Sequence, residues 1–408
     1  MKVLLVNTDD GRGGAARAAY RLHQGFQSIG TDSKILVQYK TSNDPNILGP
    51  ESFFERQFSK ALPRINYLPI KYYHNFVGTQ WSTQLFPNKI TKRINKINPE
   101  VVHFHWICEG FIPITEVKKI KKIIFWTLHD MWAFTGGCHY NETCEKYQQQ
   151  CGSCPQLGSS KENDLSHMVW KKKQKCWSDL NFTVITPSKW LAKCAKKSSL
   201  FQDKTIKVIP NGLNIEEYKP AEKKMARKEL GLPADKKLVL FGAINSTVDK
   251  RKGFQYLKPA LKQLSKDLNL ELVVFGNSKS NTKKEFEIPV HYTGHVPDKK
   301  LALLYSAVDV FVAPSVQDNL PNTVMEALAC GTPTVAFNIG GMPDMIEFQK
   351  NGYLAKPFEP EDFAKGIEWI VENEERHRKL CLNARAKVEK EFDLKNIVEK
   401  YSELYDSK

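Results

Sequence analysis

Short, unbroken apolar runs alternate with segments of helical period along the chain. Residues 2–7 form the first run; after Gly11, Arg12, Gly13 and Gly14 a helical pattern passes through Ala19, Leu22 and Phe26. Further runs stand at 33–37, 101–105, 123–130 and 182–188, then at 238–242, 272–276, 291–294, 309–313 and 334–337. Runs of this length without polar alternation predict strands buried on both faces, and the helices between them predict parallel order. The expected fold class is α/β. With 408 residues, the chain has room for two domains of about 200 residues each.

Chemistry concentrates at residues 314–341. The run at 309–313 ends at Pro314 and Ser315, and a helix is expected from Asn322 or Thr323. Asn322 is its expected cap, and Val324, Met325, Ala327 and Leu328 its apolar face. Gly331 and Pro333 stop it. Asp318 then precedes the helix and Glu326 lies in its first turns, at the carboxyl end of a strand where open α/β sheets bind ligands. The amides around Asn322, Thr323 and Val324 leave the positive end of the helix and suit a diphosphate. Glu326 would repel that anion, so it must face neutral groups such as ribose hydroxyls. The stretch is shaped for a sugar nucleotide, whereas an ordinary strand and helix would leave both acids unexplained.

Two other loops share this character. Gly11 to Gly14 sits between a strand and a helix, where residues without side chains let amides approach a phosphate. A dinucleotide fold needs an acid at the end of the second strand, but the run at 33–37 leads into Gln38, Tyr39 and Lys40, which argues against NAD. Arg251 and Lys252, before Gly253, can neutralise a diphosphate as it leaves.

Composition changes the picture in three places. A net charge of +15 suits an anionic partner, whether nucleic acid, an acidic membrane or a phosphorylated ligand. Nucleic acid is disfavoured because no recognition module is present. No apolar run approaches the roughly 20 residues that cross a bilayer, and the first residues read as a strand rather than a signal peptide. Residues 51–100 carry eight Lys or Arg against three Glu, interleaved with Phe53, Phe54, Phe58, Tyr67, Tyr72, Tyr73, Phe76, Trp81 and Phe86. Such a segment either lies in a membrane interface or grips a lipid-linked acceptor, or it is a solvated helical insertion whose aromatics pack on its own domain. Nine cysteines without a secretion signal argue for reduced thiols or metal ligation. Cys138, Cys144, Cys151 and Cys154 fall within one polar loop, and four thiols there either close a structural tetrahedral zinc site or simply pack.

Asp318, seven residues, Glu326, then Ala327 to Pro333 and Gly340-Gly341, resemble the Glu-x7-Glu segment of retaining family 4 glycosyltransferases of the GT-B fold, the glycosyl transferases group 1 of bacterial polysaccharide biosynthesis. Ile209-Pro210-Asn211-Gly212 resembles that family's crossover between domains, and Lys252-Gly253 its Lys-Gly pair. The resemblance implies two facing, doubly wound Rossmann-like domains with an interdomain cleft. Residues 1–206 form the acceptor-side domain, completed by a helix at 390–408, and residues 207–389 bind the nucleotide sugar. It places Glu326 on the ribose, and Asp318 with the Asn319 and Leu320 amides on the donor sugar. Thr323, Val324, Gly294, Arg251 and Lys252 fall to the rest of the donor, and the Gly13-Gly14 loop faces its phosphate. His129, in a Thr-x-His-Asp setting, orients donor sugar and acceptor; a lone strand-end histidine would otherwise read as packing, as His103 and His105 do. The catalytic set implied is His129, Asp318, Lys252 and Arg251. Two departures stand out. Asp318 is one methylene shorter than the usual Glu, and Ala243 and Ile244 occupy the place of an arginine that Arg251 would have to replace.

The expectation is a retaining, hexosyltransferase-type enzyme that takes a UDP- or GDP-sugar and needs no divalent ion for catalysis. Its acceptor is a glycan or lipid-linked hydroxyl in capsule, exopolysaccharide or O-antigen assembly. Its expected location is the cytoplasm, or the inner face of the cytoplasmic membrane. Two rivals belong to other classes. A sugar-nucleotide 2-epimerase of the same fold needs further acid/base carboxylates and would epimerise donor with no acceptor present. A non-catalytic basic binding module would bind nucleotide without turnover and gain activity on Asp318→Glu.

Overall fold

The computed structural model describes residues 1–78, 80–242, 249–276 and 286–407. Ala243 and Ile244 lie outside the described residues. The chain divides into two compact units, Met1–Pro210 rejoined from Val398 on, and Asn211–Ile397. These limits stand a few residues beyond the 206 and 390 read from the sequence.

The first unit is built on a seven-stranded sheet: β1 (Lys2–Asp9), β2 (Asp32–Tyr39), β3 (Ile47–Leu48), β4 (Val101–Phe104), β5 (Ile123–Thr127), β6 (Phe182–Thr186) and β7 (Thr205–Val208). Every neighbouring pair is parallel, in the order β3-β2-β1-β4-β5-β6-β7. The second unit repeats the plan with β8 (Lys237–Gly242), β9 (Leu270–Phe275), β10 (Val290–Gly294), β11 (Val310–Ala313), β12 (Thr334–Phe337) and β13 (Gly352–Ala355), ordered β10-β9-β8-β11-β12-β13. Both are the doubly wound order, in which the chain reverses direction across the sheet, beside β1 in one unit and beside β8 in the other. Central strands such as β11 and β12 are buried throughout because helices cover both faces.

The helices of the first unit are α1 (Gly14–Ser28), α2 (Phe53–Tyr67), α3 (Ile90–Ile97), α4 (Ile114–Val117), α5 (Leu165–Trp177) and α6 (Lys189–Lys197). Those of the second are α7 (Lys223–Leu230), α8 (Phe254–Gln263), α9 (Asp298–Ala307), α10 (Asn322–Ala329), α11 (Met342–Met345), α12 (Pro360–Val371) and α13 (Glu374–Glu391). The last helix, α14 (Leu394–Asp406), starts in the second unit and finishes in the first. There Tyr405 packs on Phe26 and Phe125 and its hydroxyl bonds His103 Nδ1, while the Tyr401 hydroxyl meets Thr127 Oγ1 at 3.0 Å. His103 is thus a structural link to the end of the chain.

The aromatics of the basic segment divide between the core and the surface. Trp81 is buried, and Tyr73 and Phe76 pack against the core. Helix α2, opened by a capping box between Ser52 and Glu55, leaves Phe53, Phe54, Phe58 and Tyr67 exposed, with Tyr72 exposed just beyond it. Arg56, Lys60 and Arg64 lie on the same helix.

Asp309, at the mouth of β11, anchors the second unit. Its buried carboxylate accepts from Arg227 Nη2 and Lys223 Nζ, both at 2.8 Å, and from the Leu238 amide at 2.7 Å. Arg227, itself buried, also donates to the carbonyls of Ala307, Ala234 and Lys236. Burial raises the Asp309 pKa, but Lys223, the Leu238 amide and Arg227 outweigh it, so it lies below the ordinary carboxylate value. A carboxylate held ionised in the fold contributes stability above its unfolded pKa, which is lost as pH falls below about 4. Removing it strands a buried guanidinium. Asp309→Ala is expected to cost the second unit about 3 kcal/mol, read as lost hydrogen-exchange protection in β8 and β11; protection unchanged to within 1 kcal/mol would contradict this anchoring role.

Candidate functional site

In the second unit the loops leaving β11 and β12 and the turn before α8 converge on Asp318. Gly253 takes a left-handed conformation, and a Cβ there would lie 1.7 Å from the Pro314 carbonyl oxygen. This contact, with the Val316 amide bonded to the Arg251 carbonyl at 2.8 Å, locks the Lys252-Gly253 turn against the end of β11. Gly340 does the same from the β12 side, where a Cβ would meet the Asp318 carbonyl oxygen at 2.1 Å and the Gly341 amide donates to it at 3.1 Å. Gly294, also left-handed, ends β10, and its carbonyl receives the Gly276 amide at 2.8 Å.

The charges are arranged in pairs. Lys252 Nζ donates to Asp318 Oδ2 at 2.6 Å, and the Asn319 amide to Oδ1 at 3.0 Å. Burial raises the Asp318 pKa, yet the Lys252 and Arg251 charges and these hydrogen bonds hold it below the usual carboxylate value. Arg251 is fixed by Asp249 Oδ2 at 2.8 Å. Glu326, fully buried in α10, accepts the Tyr305 hydroxyl of α9 at 2.9 Å. A buried carboxylate flanked by a phenol and set beside the amide-rich end of its helix suits hydroxyl groups as partners. Tyr305 carries no signal in the sequence, because its partner sits on another helix.

Two expectations about α10 are corrected. Pro321, not Asn322, occupies the cap position and no side chain caps the helix; its φ of -66° already suits the first turn. Asn322 Oδ1 instead accepts from Asn211 Nδ2 at 3.4 Å. The Val324 amide is taken by the Pro321 carbonyl at 3.1 Å, which narrows the expected anion seat towards Thr323. Val324 and Leu320 bury their side chains in the core, so only their backbone can serve a ligand.

In the first unit the glycine loop is shaped by two acids that sequence reasoning passed over. Asp9 Oδ1 accepts the amides of Gly11 and Arg12 at 2.9 and 2.7 Å, and its Oδ2 pairs with Arg12 Nε at 2.9 Å. Asp10 receives the Thr41 and Ser42 amides. Gly13 is left-handed at the start of α1, with its carbonyl bonded by the Arg17 amide at 3.2 Å, and Gly14 opens the helix. Aspartates at a loop's entrance are common turn formers, which is the signal that was available.

Beyond β5, His129 Nε2 meets His105 Nδ1 at 3.0 Å, with the two rings stacked. The next residue, Asp130, accepts from Trp106 Nε1 at 2.8 Å, His139 Nδ1 at 2.6 Å and the Trp132 amide at 2.9 Å. Cys138, Cys144, Cys151 and Cys154 line one cavity nearby in sequence. Burial pushes His129 down to about 4, against the pull of Asp130. It pushes His103 down to about 3 and His105 well below its ordinary value, with His129 adding to both. All three imidazoles are therefore neutral at pH 7. The unfolded chain binds protons near pH 6.5 that the folded one refuses, so stability of the first unit should fall as pH drops below about 6.5. Nuclear magnetic resonance should find the His129 ring titrating near 4; a midpoint at its unperturbed value would refute the packing described.

With this geometry in hand, comparison with known proteins is informative. The model for Glycosyltransferase Family 4 matches residues 12–217, and that for Glycosyl transferases group 1 matches residues 222–387. An uncharacterized glycosyltransferase of Methanocaldococcus jannaschii is 29% identical over 54% of this chain and 59% of its own length. A glycosyl transferase of Escherichia coli K12 named for colanic acid biosynthesis is 25% identical over 86% of both chains. The chain thus spans little more than half of the first of these relatives. The crystal structure of Anabaena HepE in complex with UDP-glucose is similar over 100% of both chains, with a TM-score of 0.69 at 16% identity, which speaks for the fold. The two matches meet almost end to end across both doubly wound units, and the chain belongs to the family 4, group 1 glycosyltransferases of the GT-B fold.

Proposed function

We propose that the chain transfers a sugar from a UDP- or GDP-sugar to a hydroxyl of a glycan or lipid-linked acceptor, with retention of anomeric configuration. The observation that carries this reading is the pairing of Glu326 of α10 with Tyr305 of α9, with Glu326 close in sequence to Lys252-paired Asp318 after β11. Glu326 would accept ribose hydroxyls, and Asp318 with the Asn319 and Leu320 amides would hold sugar hydroxyls. Lys252 and Arg251, with the Thr323 amide, would meet the charge that grows on the departing diphosphate, work that preorganised cations and helix amides do well and that here needs no divalent ion. The acceptor hydroxyl would attack the face the leaving group vacates and pass its proton to a donor phosphate oxygen. We assign acceptor handling to the first unit, where neutral His129 can accept or donate one hydrogen bond.

The colanic acid name of the E. coli relative supports an acceptor in capsule, exopolysaccharide or O-antigen assembly. The exposed aromatics of α2 among Arg56, Lys60 and Arg64 support docking at an anionic membrane. No described helix is long and apolar enough to cross a membrane. Vesicles rich in anionic lipid should therefore capture the protein, and the Phe53→Ser/Phe54→Ser variant should lose most of that binding; equal binding to neutral vesicles would remove its electrostatic basis.

The transfer reading is tested by incubating purified protein with a panel of sugar nucleotides and following release of UDP or GDP. One donor should be consumed, EDTA should leave the rate unchanged, and Glu326→Ala or Lys252→Ala should lower kcat/KM by about 10²-fold or more. Conversion of donor to its epimer, or nucleotide binding with no turnover on any donor and acceptor, would contradict it.

A further inference from the structure

Glycosyl transfer leaves the cysteine loop without a role. Cys138, Cys144, Cys151 and Cys154 line a single cavity in the first unit, walled in part by Trp81 and Tyr147. Its free space is about 20 Å³, room for one water-sized body. Cys138 feels the charge of Cys151, Cys154 and Cys144, and all four thiols are unbridged. They surround the space without closing on it: among the described residues no three His, Cys, Asp or Glu side chains already stand together as a metal-holding group.

The backbone around them is arranged to serve sulfur. The Gly136 amide donates to Cys151 Sγ at 3.1 Å. Donors aimed at a sulfur favour its thiolate and orient it as a ligand. Glycine is required where these contacts form. A Cβ on Gly136 would lie 2.6 Å from Cys151 Cβ, and one on Gly152 would lie 2.2 Å from the Glu162 carbonyl oxygen. The Cys151 to Cys154 turn is then tied to the start of α5, where Asp164 accepts the Cys154 amide at 2.7 Å and His167 Nδ1 meets the Cys151 carbonyl at 3.0 Å.

Helix α5 also carries a buried lysine. Lys173 of α5 is fully buried, its Nζ bonded to the carbonyls of Trp132 and Thr135 and lying 3.7 Å from the Trp132 ring centroid. Burial pushes its pKa down to about 7, against the pull of Cys108, Cys151, Cys138 and Asp130.

We propose that Cys138, Cys144, Cys151 and Cys154 bind one structural zinc ion. Binding replaces four S–H protons, which are released to solvent, with four Zn–S bonds, and leaves no open position for chemistry. The site would clamp the loop that carries His139, next to Cys138. His139 bonds Asp130 at 2.6 Å and Ser82 at 2.9 Å, and its carbonyl takes the Met131 amide at 2.9 Å. Zinc would in this way steady Asp130, the neighbour of His129. The metal assignment stands independently of the transfer reading, because its readout is metal content.

The test is elemental analysis of the full chain, expressed with added zinc and purified without chelators. About one zinc per chain is expected, with tetrathiolate absorption when cobalt replaces it. The Cys151→Ser/Cys154→Ser variant should lose the metal and melt earlier, and the Cys176→Ser variant should keep both. Zinc-free wild-type protein with four titratable loop thiols, or with disulfides between them seen by mass spectrometry, overturns the proposal even if the double variant fails to fold. Turnover measured on the same samples separates this outcome from failure of the transfer reading.

Discussion

A carboxylate taken out of water must find a partner, and the second unit is arranged around three that do. Asp309 is matched by Arg227 and Lys223, and it fixes the entry to β11. Asp318 is matched by Lys252 across the exit of the same strand, and Glu326 of α10 by Tyr305 of α9. The first is structural because buried Arg227 is held by Asp309 and by the carbonyls of Ala307, Ala234 and Lys236. The other two sit where a strand gives way to a helix N-terminus, and their partners can be shared with an incoming ligand. A diphosphate can compete for Lys252, and ribose can join Tyr305 on Glu326. In the proposed reading, ligand binding would exchange one set of hydrogen bonds for another.

Parallel pairing explains why the site is at this edge. In both sheets every strand points the same way, so loops of one kind gather at the carboxyl ends, and chain reversal beside β1 and β8 parts two of them. Glycines then let backbone meet backbone: Gly253 on Pro314 and Gly340 on Asp318 leave no space for a Cβ. The same logic applies in the first unit, where Asp9 and Asp10 tie down the glycine loop and His129 stacks on His105.

Strands were legible in the sequence because burial on both faces leaves no polar interruptions; β12 spans Thr334–Phe337 as its apolar run does. Asp318 and Glu326 were legible because acids beside an apolar helix have no packing role. Tyr305 and Arg227 were not, since each gains meaning from a residue on another element. The cap of α10 was misassigned because side-chain preference favours Asn, while the fixed φ of Pro321 and the bond from Asn211 decided the outcome. In α2 the aromatics were visible, but which of them face outward depends on how little of that helix the core accepts: only Leu62 and Asn66 are buried.

The account rests on Glu326 as the ribose partner. Calorimetric titration with UDP or GDP, whichever binds, and with its 2′,3′-dideoxy analogue, against wild-type protein and Glu326→Gln, addresses that directly. The account predicts that removing the hydroxyls costs the wild type at least about tenfold in Kd and costs Glu326→Gln little more, because one charged hydrogen-bond pair is lost in either case. Equal losses in both proteins would show that the ribose is held elsewhere and would contradict the account.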